Sequence, residues 1–569
     1  MSETTQAPQQ VADSILYNGL IWTGDTSCPE VSAVALKGNM VLAVGNSSDI
    51  LGIYQGASTE CYDLQGKRVI PGLSDSHMHL LNVGKAMESV DLGGSRSAQD
   101  IVERLLAGHG AQQGGGVIQG RGFNHEQFDD RRMPDRHDLD RVSTTRPVVA
   151  VRTCGHIAVV NTKALELMGI ATAGQLANTG VGSDEIRVEA DGSASGVLTE
   201  RALSLMSRLP STKPSHEDLQ RMIVNASQAM IASGLTTVHT DDFGGDPEQW
   251  EDIAAAYHAV STEGKLPLRI AHQLRFDSPD AVQSFVVWQK STAERLGFAP
   301  RALHYSSVKL MTDGSLGGRT AAMSEPYADD ATTCGVPVLS REQMTAILTK
   351  AHAAGFILSG HAIGDQAITD LVEAMGAAVP KDKWADARSQ VIHAQITTKA
   401  MLERMRELHI HCDIQPAFVA TDYPIVAERV GEAKASTSYA WKAMLDLGIT
   451  ISGGSDSPVE PFNPFYGIYC AVTRTDVAGL PQGGWLPEQK LSVAEAVHAY
   501  TVGSAYAERR EDCKGRIWPG QLADILLIDQ DIFVIDQQHI KDTQVLVSWI
   551  DGRIVYTNQS FCLAQSLEC

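Results

Sequence analysis

In V-I-P-G-L-S-D-S-H-M-H-L, residues 69–80, one residue separates His77 from His79. On a β-strand, side chains two apart share a face. Two adjacent imidazoles at the end of an apolar strand are a common start to a divalent-metal site. An isolated H-x-H is as readily a polar strand edge, so the rest of the chain must decide. Four further residues stand at the ends of apolar runs: Lys309 in SSVKLMTDG, His361 in SGHAIGD, His393 in VIHAQ and Asp456 in GGSDSP. Alone, each has a plain explanation: a surface lysine, a polar strand end, a core histidine and a turn-forming aspartate. Together, four imidazoles and a carboxylate suit Zn²⁺ or a similar borderline cation. A neutral lysine amine can add CO₂, and the resulting carbamate has two oxygens able to bridge two metals. Such a pair would share a hydroxide, because metals lower the pKa of bound water to about 7. Asp456 would bind one metal, take a proton from that water and deliver it to a leaving amine.

These residues need a frame that brings strand ends together. Strand-like runs recur at 235–242, 266–276, 304–314, 355–365, 389–396, 410–418 and 449–458, with helical stretches between them. With the run before His77 they make eight, spaced by roughly 37 residues after the second, which is the spacing of βα units. The expectation is an α/β chain with a (β/α)₈ TIM-type barrel at 71–510, its six candidate ligands at the C-terminal ends of strands 1, 4, 5, 6 and 8. Residues 81–233 are too many for one crossover and read as an inserted subdomain, which in a barrel lies over the active-site face. Its Gly-rich GAQQGGGVIQGRGF lacks a strand–GxGxxG–helix setting and reads as a turn. Short strands broken by Gly and Asn occupy 14–70 and recur in 511–569. They predict a composite β-sandwich built from both termini, after a flexible start at 1–13 and with a C-terminal tail.

Composition narrows the class. The 569 residues carry 46 basic against 68 acidic side chains, a net charge of −22, with no basic stripe. Nucleic acid and anionic membrane are therefore not expected partners. Nine dispersed cysteines argue against a disulfide framework. The N-terminal MSETTQAPQQVADS has no apolar core of a signal peptide, and no run of 18 apolar residues occurs, so a cytoplasmic location is expected.

The order H-x-H, Lys, His, His, Asp resembles the amidohydrolase superfamily, and the wording is closest to its YtcJ-like branch. PGLSDSHMHL, VKLMTDGSLGGRTA, GHAIGDQAI, HAQ, GGSDSPVEPFNPFYGIYCAVTR, GHIAVVNTKAL and GRIWPGQLADILLID look like that branch's signature blocks and span roughly residues 14–560. The resemblance implies a metal-dependent hydrolase of C–N bonds with two Zn²⁺ ions per chain held by His77, His79, carbamylated Lys309, His361, His393 and Asp456. Its most specific implication is the hydrolysis of an N-substituted formamide to an amine and formate. Other amides, carbamates and cyclic amides are the alternatives, as is deamination at a single metal, which Lys309 argues against. Reuse of the barrel as a scaffold without catalysis would entail loss of ligands, and all six are kept. Relatives often pair, so a homodimer is in view. One departure stands out: the branch usually reads R-I-E-H where this chain has Gln390-Val391-Ile392-His393, which alters the surroundings of that ligand.

Secondary candidates are His156 and Arg319 for substrate binding. Arg319 is weighed against a structural salt bridge, and His156, like Asn161, against local hydrogen bonding. Pocket-lining roles are conceivable for Arg121, Phe123, Gln415 and Phe465. His239 ends strand 2 on a face that could touch substrate.

Overall fold

The computed structural model describes residues 11–108, 116–152, 157–172, 175, 185–209, 214–297 and 301–566. At its centre eight strands follow one another in chain order: β1 (Leu73–Met78), β2 (Leu235–Phe243), β3 (Arg269–Arg275), β4 (His304–Met311), β5 (Ile357–Ala362), β6 (Gln390–His393), β7 (His411–Ile414) and β8 (Ile451–Gly453). Every neighbouring pair from β1 to β8 is parallel. The strands are buried along nearly their whole length, as expected where helices cover a parallel sheet.

The covering helices start where the sequence provides caps. Asp246 caps Pro247–Thr262 and Ser278 caps Pro279–Leu296, each with proline in the first turn. Ser340 and Gln343 form a capping box for Arg341–Ala353. That helix buries Met344, Ile347, Leu348 and Ala351, one stripe at helical spacing.

The barrel is almost closed. No ladder joins β8 to β1. Instead the chain just past β8 reaches β1: Asp456 N–H donates to His77 O at 2.7 Å, and His79 N–H donates to Ser457 O at 2.9 Å. The Asp75 carboxylate adds three bonds, accepting from Ser455 N at 3.0 Å, Ser455 Oγ at 2.5 Å and His77 N at 3.1 Å. A Cβ at position 454 would stand 2.8 Å from His77 N, so glycine is what allows this approach. The seam thus fixes the two segments carrying His77, His79 and Asp456 to each other.

Both ends of the chain contribute to two further sheets. One orders Ala564–Ser566, Glu60–Asp63, Ser14–Tyr17, Ala33–Lys37 and Met40–Gly45; the other orders Arg553–Thr557, Val545–Ile550, Ile525–Ile528, Arg68–Pro71, Leu20–Trp22 and Glu30–Val31. They share an apolar core that includes Leu16, Val34 and Leu36 of the first sheet and Ile21, Ile525 and Trp549 of the second. Met1–Asn82 and Ile223–Cys569 form one compact unit, and Val83–Met222 form another. The second unit is built on a six-stranded mixed sheet running from Val90–Asp91 to Ile186–Val188, with apolar clusters around Phe123 and Leu165. The seven cysteines among the described residues are all free thiols. No helix among these residues is long and apolar enough to cross a membrane.

Candidate metal centre

The ends of β1, β4, β5, β6 and β8 bring six side chains into one connected group. His77 Nε2 is 3.3 Å from Asp456 Oδ1, and His79 Nε2 is 3.1 Å from the same oxygen. Lys309 Nζ lies 3.1 Å from His77 Nε2. The His393 ring meets the rings of His361 and His77 edge-on, at centroid distances of 4.5 and 5.6 Å. Within this group, one donor atom each from His77, His393 and Asp456 lie within 4.8 Å of one another.

Two glutamines aim the imidazoles. His77 Nδ1 is 2.6 Å from Gln273 Oε1, and His393 Nδ1 is 2.7 Å from Gln415 Oε1. The amide ends of these glutamines donate to Ser76 O and Asp413 O, so their oxygens face the rings. Each ring therefore carries its proton on Nδ1, and each Nε2 presents a lone pair. His393 Nε2 is buried and has no hydrogen-bond partner, while Phe418 stacks on the ring at 5.8 Å and 9°. A buried lone pair without a donor is costly unless something fills it, and a divalent cation does so.

Electrostatics favour the ligand forms of His77, His393 and Asp456. Burial, with Lys309 nearby, lowers the pKa of His77; burial, with His361 nearby, holds that of His393 well below the usual range. Both rings are thus neutral donors. Burial works against the charged form of Asp456, but its contacts with the His77 and His79 imidazoles outweigh it and hold the carboxyl well below its ordinary pKa. Burial likewise opposes charge on His79, and the hydrogen bond to Asp456 overcomes it, raising the pKa.

His361 joins the group through its ring, while its Nε2 lies 3.1 Å from Gly314 O and 3.4 Å from Asp313 Oδ1. Asp313 is buried and accepts from the backbone of Ala322, Ile363 and Gly364, tying the loop after β4 to the end of β5. The Arg319 guanidinium forks onto Asp329, at 3.2 and 2.7 Å, on an exposed loop. His156 lies outside the described residues. Asn161 caps Thr162–Met168 and accepts from Val148 N, which is local hydrogen bonding. His239 is buried against Glu508 at 3.6 Å, in a cluster with Lys514 and His304. Ile392 is buried, and strand alternation turns it to the face opposite His393.

Besides Gln273, a second residue near the candidate ligands was not singled out by sequence reasoning. Asp241, on β2, is fully buried and accepts from Lys309 Nζ through Oδ2 at 3.0 Å, while its Oδ1 has no hydrogen-bond partner. The signal was its parity: in V-H-T-D-D it stands two places beyond His239 at the end of an apolar strand.

Comparisons with known proteins agree with this architecture. The model of the amidohydrolase family matches residues 60–556. The YtcJ protein of Bacillus subtilis (strain 168), whose name places it among the amidohydrolases, is 31% identical over 547 residues, covering 95% of this chain and 99% of that one. N-substituted formamide deformylase of Arthrobacter pascens is 25% identical over 555 residues, covering 96% and 99%. The crystal structure of a metal-dependent hydrolase from Pyrococcus furiosus superposes with a TM-score of 0.73 at 30% identity, covering 91% of this chain and 99% of that one. The chain belongs to the amidohydrolase family.

Proposed function

We propose that the protein is a metal-dependent hydrolase that cleaves an amide-type C–N bond in a small molecule. The observation that carries this reading is the convergence of His77, His393 and Asp456 donor atoms within 4.8 Å, with the buried His393 Nε2 unpartnered. Neutral nitrogen donors beside an anionic carboxylate match the preferences of zinc and similar cations. His77, His393 and Asp456 would hold one divalent ion, and His79, His361 and Lys309 would complete a second position. A cation held there supplies Lewis acidity to a carbonyl and lowers the pKa of water.

The chain's own groups then have these roles. Gln273 and Gln415 keep the Nε2 lone pairs of His77 and His393 turned inward. Asp456 accepts a proton from the attacking water at a carboxylate oxygen and returns it to the leaving nitrogen. That sequence breaks the C–N bond, forms the acid and releases the amine. Among acyl groups, formyl is our specific choice, supported by the A. pascens deformylase. Two ions bridged by a CO₂-modified Lys309 is the reading taken from the ligand order. The Lys309–Asp241 hydrogen bond favours a second reading, a single ion with an unmodified amine.

Purified protein assayed for zinc, iron and manganese, and screened on N-benzylformamide, acyl amides, carbamates and esters, tests the proposal. Bound metal with cleavage of the formamide is expected. Bound metal with cleavage of another amide alone removes the deformylase assignment and keeps the class. Absence of both bound metal and turnover refutes it.

A further inference from the structure

Arg275 is the last residue of β3, two positions beyond Gln273 and so on the same face of the strand. Gln273 is buried and bonded to His77, which identifies that face as the one turned into the barrel. The ladder places Arg275 opposite Lys309. Its guanidinium Nη1 is 4.0 Å from Asp241 Oδ2, and its side chain is 48% exposed. The neighbouring loop leaves room for it: a Cβ on Gly244 would stand 3.4 Å from Nη2.

The contrast with the other end of the strand is informative. Arg269 begins β3 and spends its fork on Asp524, at 2.9 and 3.1 Å. Among the described residues, the Arg275 side chain has one long contact to a carboxylate already bonded by Lys309, and no hydrogen bond. With Asp241 already bonded by Lys309, the Arg275 guanidinium keeps most of its five N–H donors unspent at the rim of the site. Over the whole chain the net charge is −22, which repels anions at long range. A cation placed here is what could retain one.

We propose that Arg275 recognises a carboxylate on the substrate, so that the preferred amides are anionic N-acyl compounds. This rests on the hydrolase reading above and narrows it. A planar guanidinium matches the two oxygens of a carboxylate, an interaction that a neutral formamide does not offer. Arg275 is then a specificity-determining residue, and the reacting atoms lie with the group around His77 and Asp456.

The test uses matched pairs: the N-formyl and N-acetyl derivatives of 4-(aminomethyl)benzoate and of the isosteric 4-(aminomethyl)benzamide. For the metal-loaded wild type, kcat/KM should favour the carboxylates by about 10- to 100-fold, the range of a hydrogen bond to a charged group. Arg275→Gln should abolish that preference mainly through KM, with far smaller change on the carboxamides, and Arg275→Lys should restore part of it. Equal kcat/KM for both members in the wild type, or an equal loss on both in Arg275→Gln, overturns the assignment. Should neither member be cleaved, the hydrolase reading is decided separately by the metal assay and substrate screen above. Calorimetric titration with 4-(acetamidomethyl)benzoate and its carboxamide then still decides: tighter carboxylate binding lost in Arg275→Gln supports Arg275, and equal binding by both ligands overturns it.

Discussion

Lys309 Nζ donates to Asp241 Oδ2 at 3.0 Å, and the two side chains are 2% and 0% exposed. A buried carboxylate is tolerated because this amine meets it, with Arg275 a more distant second partner at 4.0 Å. Removing one member leaves the other uncompensated. Lys309→Met should therefore destabilise the metal-free protein by about 3–5 kcal/mol in urea unfolding. The double variant Lys309→Met/Asp241→Asn should recover much of that loss. Additive costs of the two single changes would mean that they do not act as a pair.

The same logic of partnered atoms applies to the candidate ligands. Gln415 Oε1 accepts from His393 Nδ1 at 2.7 Å and so fixes both the ring orientation and the proton position. Gln415→Leu removes that acceptor while leaving every ligand in place. Metal affinity, measured by competition with a chelator, should fall about 10- to 100-fold. Gln273→Leu should act likewise through His77. An unchanged affinity in both variants would show that the rings are held by packing alone.

The barrel was legible because hydrophobic runs at βα spacing report a backbone requirement, and all eight runs coincide with strands of the sheet. Strand ends are where a barrel exposes chemistry, and of the six candidates read there His77 and His393 converge with Asp456. Asp241 and Gln273 were not legible, because their roles are set by partners 68 and 196 positions away. Nor could parity along β2 say which inward residue reaches the site: Asp241 meets Lys309, whereas His239, two places earlier, is taken by Glu508. Arg319 has the opposite history, since a motif drew attention to a side chain whose fork Asp329 occupies.

The seam between β1 and β8 gives a prediction that separates fold from site. Asp75 is 1% exposed and accepts from Ser455 N, Ser455 Oγ and His77 N. Asp75→Ala leaves these buried donors unsatisfied and should cost at least about 2 kcal/mol. It should also loosen the segments bearing His77 and Asp456, so metal affinity falls along with the unfolding midpoint. Asp75→Asn keeps one acceptor, and the Ser455 hydroxyl can turn to accept from the new amide. The asparagine variant should therefore lie between wild type and alanine in both measurements. An alanine variant as stable as wild type would show that backbone bonds alone hold the seam.

Glu460, half-buried four residues beyond Asp456, makes the stability depend on pH in a definite direction. Burial pushes its carboxyl from 4.5 up to about 7; a hydrogen bond with Thr421 opposes the shift, and the charges of Asp422 and Asp456 add to it. Between those two values the folded protein binds a proton that the unfolded chain has released. Stability contributed by this group is therefore present below about pH 4.5 and lost as pH rises through about 7. Asp422, raised by burial from 3.8 to about 6 against a hydrogen bond from Tyr439, acts in the same direction over a lower window. Glu460→Gln keeps the shape and removes the titration. The wild-type stability in urea, taken relative to that of Glu460→Gln, should fall progressively from pH 5 to pH 7 by up to about 1.4 kcal/mol per pH unit and level off above. Parallel curves for the two proteins would mean that Glu460 is already ionised across this range, and that the amide gains nothing by replacing it.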